Sequence, residues 1–369
     1  MKIERATLRE IPLRLREYFE ISSGGQQDRR VLLLTLYAEG LESWSECVAM
    51  ERPAYSSETT DTAWSVLTEY LLPAVVGTRP DDPSTDLLDP VRWVRGHRMA
   101  RAAVEMAGWD LTARARGVSL SALLGGSRAA VPVGVSVGLQ PSDEALHEAV
   151  AGYVADGYAR VKIKIKPGRD VEMLGSLRAR FPELALMADA NSAYTLDDLD
   201  RLRALDELDL TMIEQPLGHD DVLDHARLQR EIATPVCLDE SIRSDGDAAL
   251  ALELGACRTI NIKPGRVGGL AESRAIHDRM RAAGLPVWCG GMLESGVGRA
   301  YNVALASLPG FTLPGDISAS RRYWERDIVD PEFEVHGGQM AVPDGVGIGV
   351  EVDVERIEAL TVRRADFSA

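Results

Sequence analysis

Residues 161–168 read VKIKIKPG, and four stretches of the same kind follow: LMADAN at 186–191, MIEQPL at 212–217, CLDES at 237–241 and NIKPG at 261–265. Each passes from a short apolar run to a charged side chain. In the first, Lys162 and Lys164 stand two apart and share one face of a strand. Lys164, Asp189, Glu214, Asp239 and Lys263 follow one another at steps of 25, 25, 25 and 24 residues. A strand with its return helix has a length of that order. A constant step therefore brings every strand end back to one rim.

Along the chain the apolar runs number eight: 133–137, 161–165, 184–188, 211–213, 236–238, 259–262, 286–289 and 311–313. Helix signals lie between them. Ser142 precedes an apolar stripe of Leu146, Ala149, Val150 and Tyr153 that Gly157 ends. Thr195 with Asp198 makes a near capping box ahead of Leu199 and Leu202. Ile276, Met280 and Ala283 make another stripe, stopped by Gly284. Eight strands alternating with helices predict an α/β chain built on a (β/α)₈ barrel of the TIM type, here modified by additions at both ends. Residues 1–128 are expected to form an α+β capping domain. Strands fill its first fifty residues and helices the rest, such as Thr62–Leu72 and Arg98–Arg116. The segment from Ser22 to Asp28 reads as a mobile loop between its first two strands. The barrel takes residues 129–320. The tail, 321–369, carries Gly337-Gly338 and Pro343-Asp344-Gly345 turns and is expected to return to the capping domain.

Composition excludes several classes of function. Lys and Arg number 41 against 57 Asp and Glu, for a net charge of −16. Nucleic acid and anionic membrane surfaces both demand a basic face, so neither is an expected partner. No run of eighteen apolar residues exists. The four cysteines, Cys47, Cys237, Cys257 and Cys289, form no CxxC pair, which fits a cytoplasmic protein without a disulfide framework. The six histidines, His219 and His225 among them, have no ligand spacing and read as surface residues.

The rim defined by the 25-residue step is the C-terminal face of the barrel, where barrel enzymes keep their active sites. A lone charge at a strand end is ordinarily a solvated rim residue. Five in step are not. Three converging carboxylates repel one another unless a cation sits among them. An all-oxygen donor set favours Mg²⁺ or Mn²⁺ over zinc. Lysines on either side of such a metal suit removal of a proton beside a carboxylate, through an enediolate.

These motifs resemble the enolase superfamily, in its muconate-lactonizing-enzyme-like branch, and within it the N-acylamino acid racemase / o-succinylbenzoate synthase family. The chemistry that the resemblance implies is a lysine base working with a divalent metal on an enediolate. The likeness rests on VKIKIKPG, Asp189-Ala190-Asn191, IEQPL at 213–217, CLDESI at 237–242, NIKPGRVGG at 261–269, VWCGGMLESGVGR at 287–299 and FTLPGDISAS at 311–320. It extends to Trp44–Cys47 and Gly96–Ala100. The resemblance implies Asp189, Glu214 and Asp239 as ligands of Mg²⁺ (or Mn²⁺ or Co²⁺), with Lys164 and Lys263 as the two acid/base groups. Racemisation needs both lysines. In the synthase reaction Lys164 acts as base and then acid, while Lys263 holds the enediolate. Lys162 would support Lys164, since a neighbouring cation favours a neutral lysine. Arg266 would tune Lys263 likewise, which matters for racemisation. Asn191 and Glu240 would hold these groups in place. Phe19, Met50, Tyr55, Ser136, Leu293 and Tyr323 are implied as substrate contacts. The partners implied are a small-molecule carboxylate and further copies of the chain in a homo-oligomer. The acidic-ended stretch through Tyr18–Ser22 and Gln27-Asp28 leaves the substrate side chain open.

Competing readings fit less of the chain. Gly134–Gly138 matches the GxSxG elbow of serine hydrolases, but Ser136 lies inside the apolar run and not on a turn. A Schiff-base aldolase would use a strand lysine without three carboxylates. Mandelate-racemase-like acid-sugar enzymes would want a His–Asp pair in place of Lys263. Dipeptide epimerases would want Asp-x-Asp where Asp316-Ile317-Ser318 stands. Muconate cycloisomerase shares both lysines and stays open. A non-catalytic barrel would have no reason to keep all five groups.

Overall fold

The computed structural model describes residues 1–21 and 24–369. The chain opens on three antiparallel strands: β1 (Arg5–Ile21), β2 (Gly24–Ala38) and β3 (Leu41–Cys47). Strand β2 explains its own unbroken apolar run. Leu32, Leu34 and Leu36 point to the core of the capping domain, while Val31 and Leu33 join the core shared with the barrel. Both faces are covered, so both sets of alternate residues are apolar. The helix Arg98–Arg116 packs on this sheet and ends at Gly117, whose φ of 65° closes it with a left-handed turn.

After a short strand β4 (Ala130–Pro132) come seven parallel strands: β5 (Val135–Val137), β6 (Val161–Lys164), β7 (Leu186–Asp189), β8 (Ile213–Glu214), β9 (Val236–Leu238), β10 (Thr259–Ile262) and β11 (Val287–Cys289). Each pairs with the next in sequence, giving the order β11-β10-β9-β8-β7-β6-β5. The tail adds β12 (Val329–Asp330), β13 (Gln339–Ala341), β14 (Glu351–Val352) and β15 (Arg363–Ser368). Strand β15 pairs antiparallel with β1, so the end of the chain completes the capping sheet.

The barrel therefore has seven regular strands and not eight. The run at 311–313 contributes one single bridge, Phe311 to Val287, and Gly315 just past it makes another, to Val133. Pro314 is the cause: it has no N–H to give a ladder. The segment still closes the gap by irregular hydrogen bonds, with Gly315 N donating to Pro132 O and Asp316 N to Cys289 O. A second difference concerns the segment expected as a mobile loop. Ser22 and Ser23 lie outside the described residues, but Gly24–Asp28 belongs to β2 and pairs with the end of β1, Phe19 opposite Gln26 and Glu20 opposite Gly25. Leu139 N donates to Glu20 O and ties this hairpin to the barrel. The cap Ser142 and the box Thr195–Asp198 form as the sequence predicts, the latter on a short 3₁₀ turn. Ser136 sits within β5, which leaves no nucleophile elbow. All four cysteines are buried and free. Among the described residues no helix is long and apolar enough to cross a membrane.

Two carboxylates fasten the cap to the barrel. Glu46 of β3 accepts from Ser295 N at 3.1 Å, Ser295 Oγ at 2.5 Å and Gly298 N at 3.2 Å, at the start of the helix Gly296–Ala306. Glu105 accepts from Leu270 N at 2.8 Å and Ala271 N at 2.9 Å, at the start of the helix Leu270–Ala282. Each supplies the anion that the unsatisfied N–H groups of a helix start favour. Burial nevertheless raises each carboxyl from 4.5 to about 7, against the pull of those donors. The native state thus holds two protons more tightly than the unfolded chain. Stability from this source falls as pH rises from about 4.5 to about 7 and then levels off. The urea midpoint of a Glu46→Gln/Glu105→Gln variant should change less than that of the wild type between about pH 5 and pH 7.5. An equal or steeper change would contradict the assignment.

Candidate active site

Strand register sets the central residues side by side. Lys164 of β6 lies opposite Asp189 of β7, and Asp189 lies opposite Glu214 of β8. Asp239 directly follows β9. Lys263 directly follows β10 and caps the one-turn helix Pro264–Val267, where proline suits the first helical position. Sheet order therefore runs lysine, carboxylate, carboxylate, carboxylate, lysine across five neighbouring strands. All five side chains are nearly dry: Asp189 and Asp239 are 1% exposed, Glu214 is 0%, and Lys164 and Lys263 are 6%. Lys162, on the same face of β6 as Lys164, is 3% exposed, so that face of the strand is dry.

The charges are matched closely. Lys164 Nζ donates to Asp189 at 2.6 Å and to Asn191 Oδ1 at 2.6 Å. Lys162 Nζ lies 2.7 Å from Glu214, 3.0 Å from Asp189 and 2.5 Å from Asp316. Lys263 Nζ donates to Asp239 at 2.8 Å and to the Tyr55 hydroxyl at 3.0 Å. That hydroxyl in turn donates to Asp239 Oδ1 at 2.9 Å. Arg266 pairs with Asp239 as well, and its Nη2 donates to Asn261 O at 2.6 Å. Asn191 Nδ2 reaches Glu240 Oε1 at 2.9 Å.

The electrostatics follow from this packing. Burial pushes the Asp189 carboxyl up, but Lys164 and Lys162 outweigh it and hold it well below the usual range. Glu214 is raised, by burial first and then by Asp189. Glu240 is raised by burial. Burial favours the neutral form of Lys263, yet Tyr55, Glu214 and Glu240 together raise it. Burial lowers Arg266.

The three lysines and Asn191 form the floor of a cavity of about 570 Å³. Lys162, Lys164, Asn191 and Lys263 face it, and so do Phe19, Met50, Tyr55, Ser136, Leu293 and Tyr323, the residues implied as substrate contacts. Asp189, Glu214, Asp239, Glu240 and Arg266 are not among its lining and stand behind it. The Ser136 hydroxyl is buried without a partner among the described residues. The cap thus supplies Phe19 from the β1–β2 hairpin and Met50 and Tyr55 from the segment after β3.

The carboxylates are turned to lysines. Among the described residues, no three His, Cys, Asp or Glu side chains already form a cation cage. The donor set still suits a divalent cation. It is all oxygen, it is buried, and Glu240 Oε2 is a buried acceptor without a partner among the described residues. Asp189 lies opposite Glu214 in the strand register and pushes its carboxyl up, a repulsion that added positive charge would relieve.

Several contributors lie outside the sequence pattern. Asp316 pairs with Lys162 and with Arg160 at 2.6 Å. Asn261 Nδ2 donates to Glu214 at 2.6 Å, and its place two residues before Lys263 is the alternation that could have marked it. Like His277, His225 is buried, contrary to a surface placement. Its Nε2 accepts from Leu217 N at 3.1 Å and holds the turn after Glu214. Gln215, at a φ of 38°, accepts from Asp239 N at 3.0 Å and Ser241 N at 3.2 Å, linking β8 to β9.

Residues 145–357 match the model described as enolase C-terminal domain-like. Residues 3–125 match that of the mandelate racemase / muconate lactonizing enzyme N-terminal domain. The chain belongs to the enolase superfamily, in its mandelate racemase / muconate lactonizing enzyme family. More particularly, it is 51% identical over 98% of its length to an o-succinylbenzoate synthase of Geobacillus stearothermophilus, covering 96% of that protein. It is 50% identical to an N-succinylamino acid racemase of Thermus thermophilus over 100% of both chains. A crystal structure of an enolase superfamily member from Listeria innocua, 41% identical, superposes with a TM-score of 0.95 over 100% of this chain and 99% of that one.

Lys162 offsets three buried carboxylates at once. Lys162→Met should therefore destabilise the fold by about 3–5 kcal/mol, read from urea unfolding in EDTA. A loss under about 1 kcal/mol would show that the ion pairs at Lys162 are weak.

Proposed function

We propose that this chain removes and returns the proton on the carbon beside a carboxylate, with N-succinylamino acids and related N-acylamino acids as substrates, racemising them. The observation that carries the reading is the order across the strands: Lys164, then Asp189, Glu214 and Asp239, then Lys263. Two amines with three buried carboxylates between them can address opposite faces of one substrate. Names of relatives about 50% identical over the whole chain support the substrate class.

In this reading Asp189, Glu214 and Asp239 hold Mg²⁺, or Mn²⁺ or Co²⁺ in its place. When bound, the cation supplies positive charge to the substrate carboxylate as the α-proton leaves. Everything else falls to the chain. Lys164 takes the proton from one face, and Asn191 steers its ammonium through the 2.6 Å contact. Lys263, held as an ammonium by Tyr55 and Asp239, gives a proton to the other face. In the reverse direction the two exchange roles. Arg266, on the Asp239 side of Lys263, keeps positive charge there whether or not Lys263 has lost its own proton. The cap hairpin and the segment at 50–55 form one wall of the cavity in which the proton moves.

A second reading is o-succinylbenzoate synthesis, in which Lys164 alone takes the α-proton and then returns it to the leaving hydroxyl. The name of the Geobacillus relative favours it, and the same site serves both reactions. The division of the chain into a capping part at 1–128, a barrel at 129–320 and a tail at 321–369 is proposed with it.

The test is α-proton exchange in D₂O with N-succinylamino acids and Mg²⁺. The wild type should exchange and racemise both enantiomers, and EDTA should abolish this until Mg²⁺ is restored. Lys263→Ala should lose racemisation by at least about 10²-fold while still exchanging one enantiomer through Lys164. Racemisation at the wild-type rate by Lys263→Ala would contradict the two-lysine assignment. Absence of exchange in the wild type would contradict the racemase reading.

A further inference from the structure

The segment at 50–55 does more than cover the site. Five cations face the cavity: Arg14, Arg52, Lys162, Lys164 and Lys263. Four of them are already satisfied. The three lysines pair with the carboxylates behind the floor. Arg14 grips Asp28 with two contacts of 2.7 and 2.9 Å. Arg52 makes no hydrogen bond or ion pair among the described residues. Its neighbour Glu51 offers it nothing, being turned to Arg29 at 3.3 Å and to Arg30 N at 2.5 Å.

We propose that Arg52 recognises a second carboxylate on the substrate, carried at the far end of the N-acyl group, and so selects acyl groups that end in an anion. The inference rests on the reading of the site as one for N-acylamino acids. Its geometry comes from Tyr55. The Tyr55 hydroxyl lies 3.0 Å from Lys263 Nζ, and Arg52 stands three residues before Tyr55 on the wall of the same cavity, their α-carbons at most about 11 Å apart. A succinyl group places its carboxylate five bonds from the α-carbon, on the order of 6 Å. An arginine at the rim of the same cavity is within reach of that distance. A guanidinium presents the planar fork that fits a carboxylate with two parallel hydrogen bonds. Long-range charge points the same way. On a chain of net charge −16, a doubly anionic substrate meets a repulsive surface, and an unpaired cation at the mouth offsets it locally.

The experiment compares the N-succinyl and N-acetyl derivatives of one amino acid, with wild type, Arg52→Gln and Arg52→Lys. Racemisation gives kcat/KM, and calorimetry gives binding of each compound. The wild type should favour the succinyl compound. The succinyl-to-acetyl ratio, in kcat/KM and in binding, should fall about 10-fold in Arg52→Gln and be partly kept in Arg52→Lys. Added salt should lower the wild-type ratio toward that of Arg52→Gln. An unchanged ratio in Arg52→Gln, or equal losses with both compounds, would overturn the role of Arg52. Turnover by the wild type tests the proton-transfer reading separately. A wild type that turns over neither compound defeats that reading, while the binding ratio still decides the inference about Arg52.

Discussion

Three carboxylates on three neighbouring parallel strands, almost without water around them, define the central constraint on this molecule. Like charges held that close raise one another's proton affinity, as Glu214 shows beside Asp189. Positive charge has to be brought to them, and the chain brings it from several directions. Lys162 and Lys164 come from the strand on one side, Lys263 and Arg266 from the strand end on the other. Two of the lysines that balance the acids, Lys164 and Lys263, are the groups whose protons the proposed reaction moves. One electrostatic arrangement thus serves both stability and chemistry.

The rest of the fold keeps this arrangement dry and in register. Parallel pairing through β6, β7 and β8 fixes Lys164, Asp189 and Glu214 as neighbours. Gln215 and His225 hold the turn after Glu214, where an extended backbone would carry the chain away from β9. The capping domain reaches in with Tyr55, which touches both Asp239 and Lys263. Glu46 and Glu105 bind that domain to the first turns of two barrel helices. Movement of the cap would therefore be felt at Lys263 through a single hydroxyl.

Much of this is legible in the amino-acid sequence, because a parallel barrel repeats. A 25-residue step and apolar runs ending on Lys164, Asp189, Glu214, Asp239 and Lys263 expose the rim without any knowledge of contacts. What stays hidden is what does not repeat. The run at 311–313 reads as an eighth strand, but Pro314 leaves it only a single bridge. The stretch at 24–28 is polar and rich in glycine, yet it is a strand because β1 offers it a partner, which composition cannot reveal. His225 stands alone in the pattern and is buried by a backbone N–H eight residues away. Glu46 and Glu105 find their partners 249 and 165 residues along the chain, beyond any local rule. Arg52 is distinguished only by the pairing of every other cation around it.

Crystals grown with Mn²⁺ and measured at its absorption edge test most directly whether Asp189, Glu214 and Asp239 form one cation site, with Lys164 and Lys263 on its two sides. The expected result is one anomalous peak within about 2.0–2.3 Å of oxygens from all three carboxylates, with Lys164 and Lys263 displaced from them toward the cavity. A peak elsewhere, or carboxylates still closed on the lysines in the presence of saturating Mn²⁺, would contradict it.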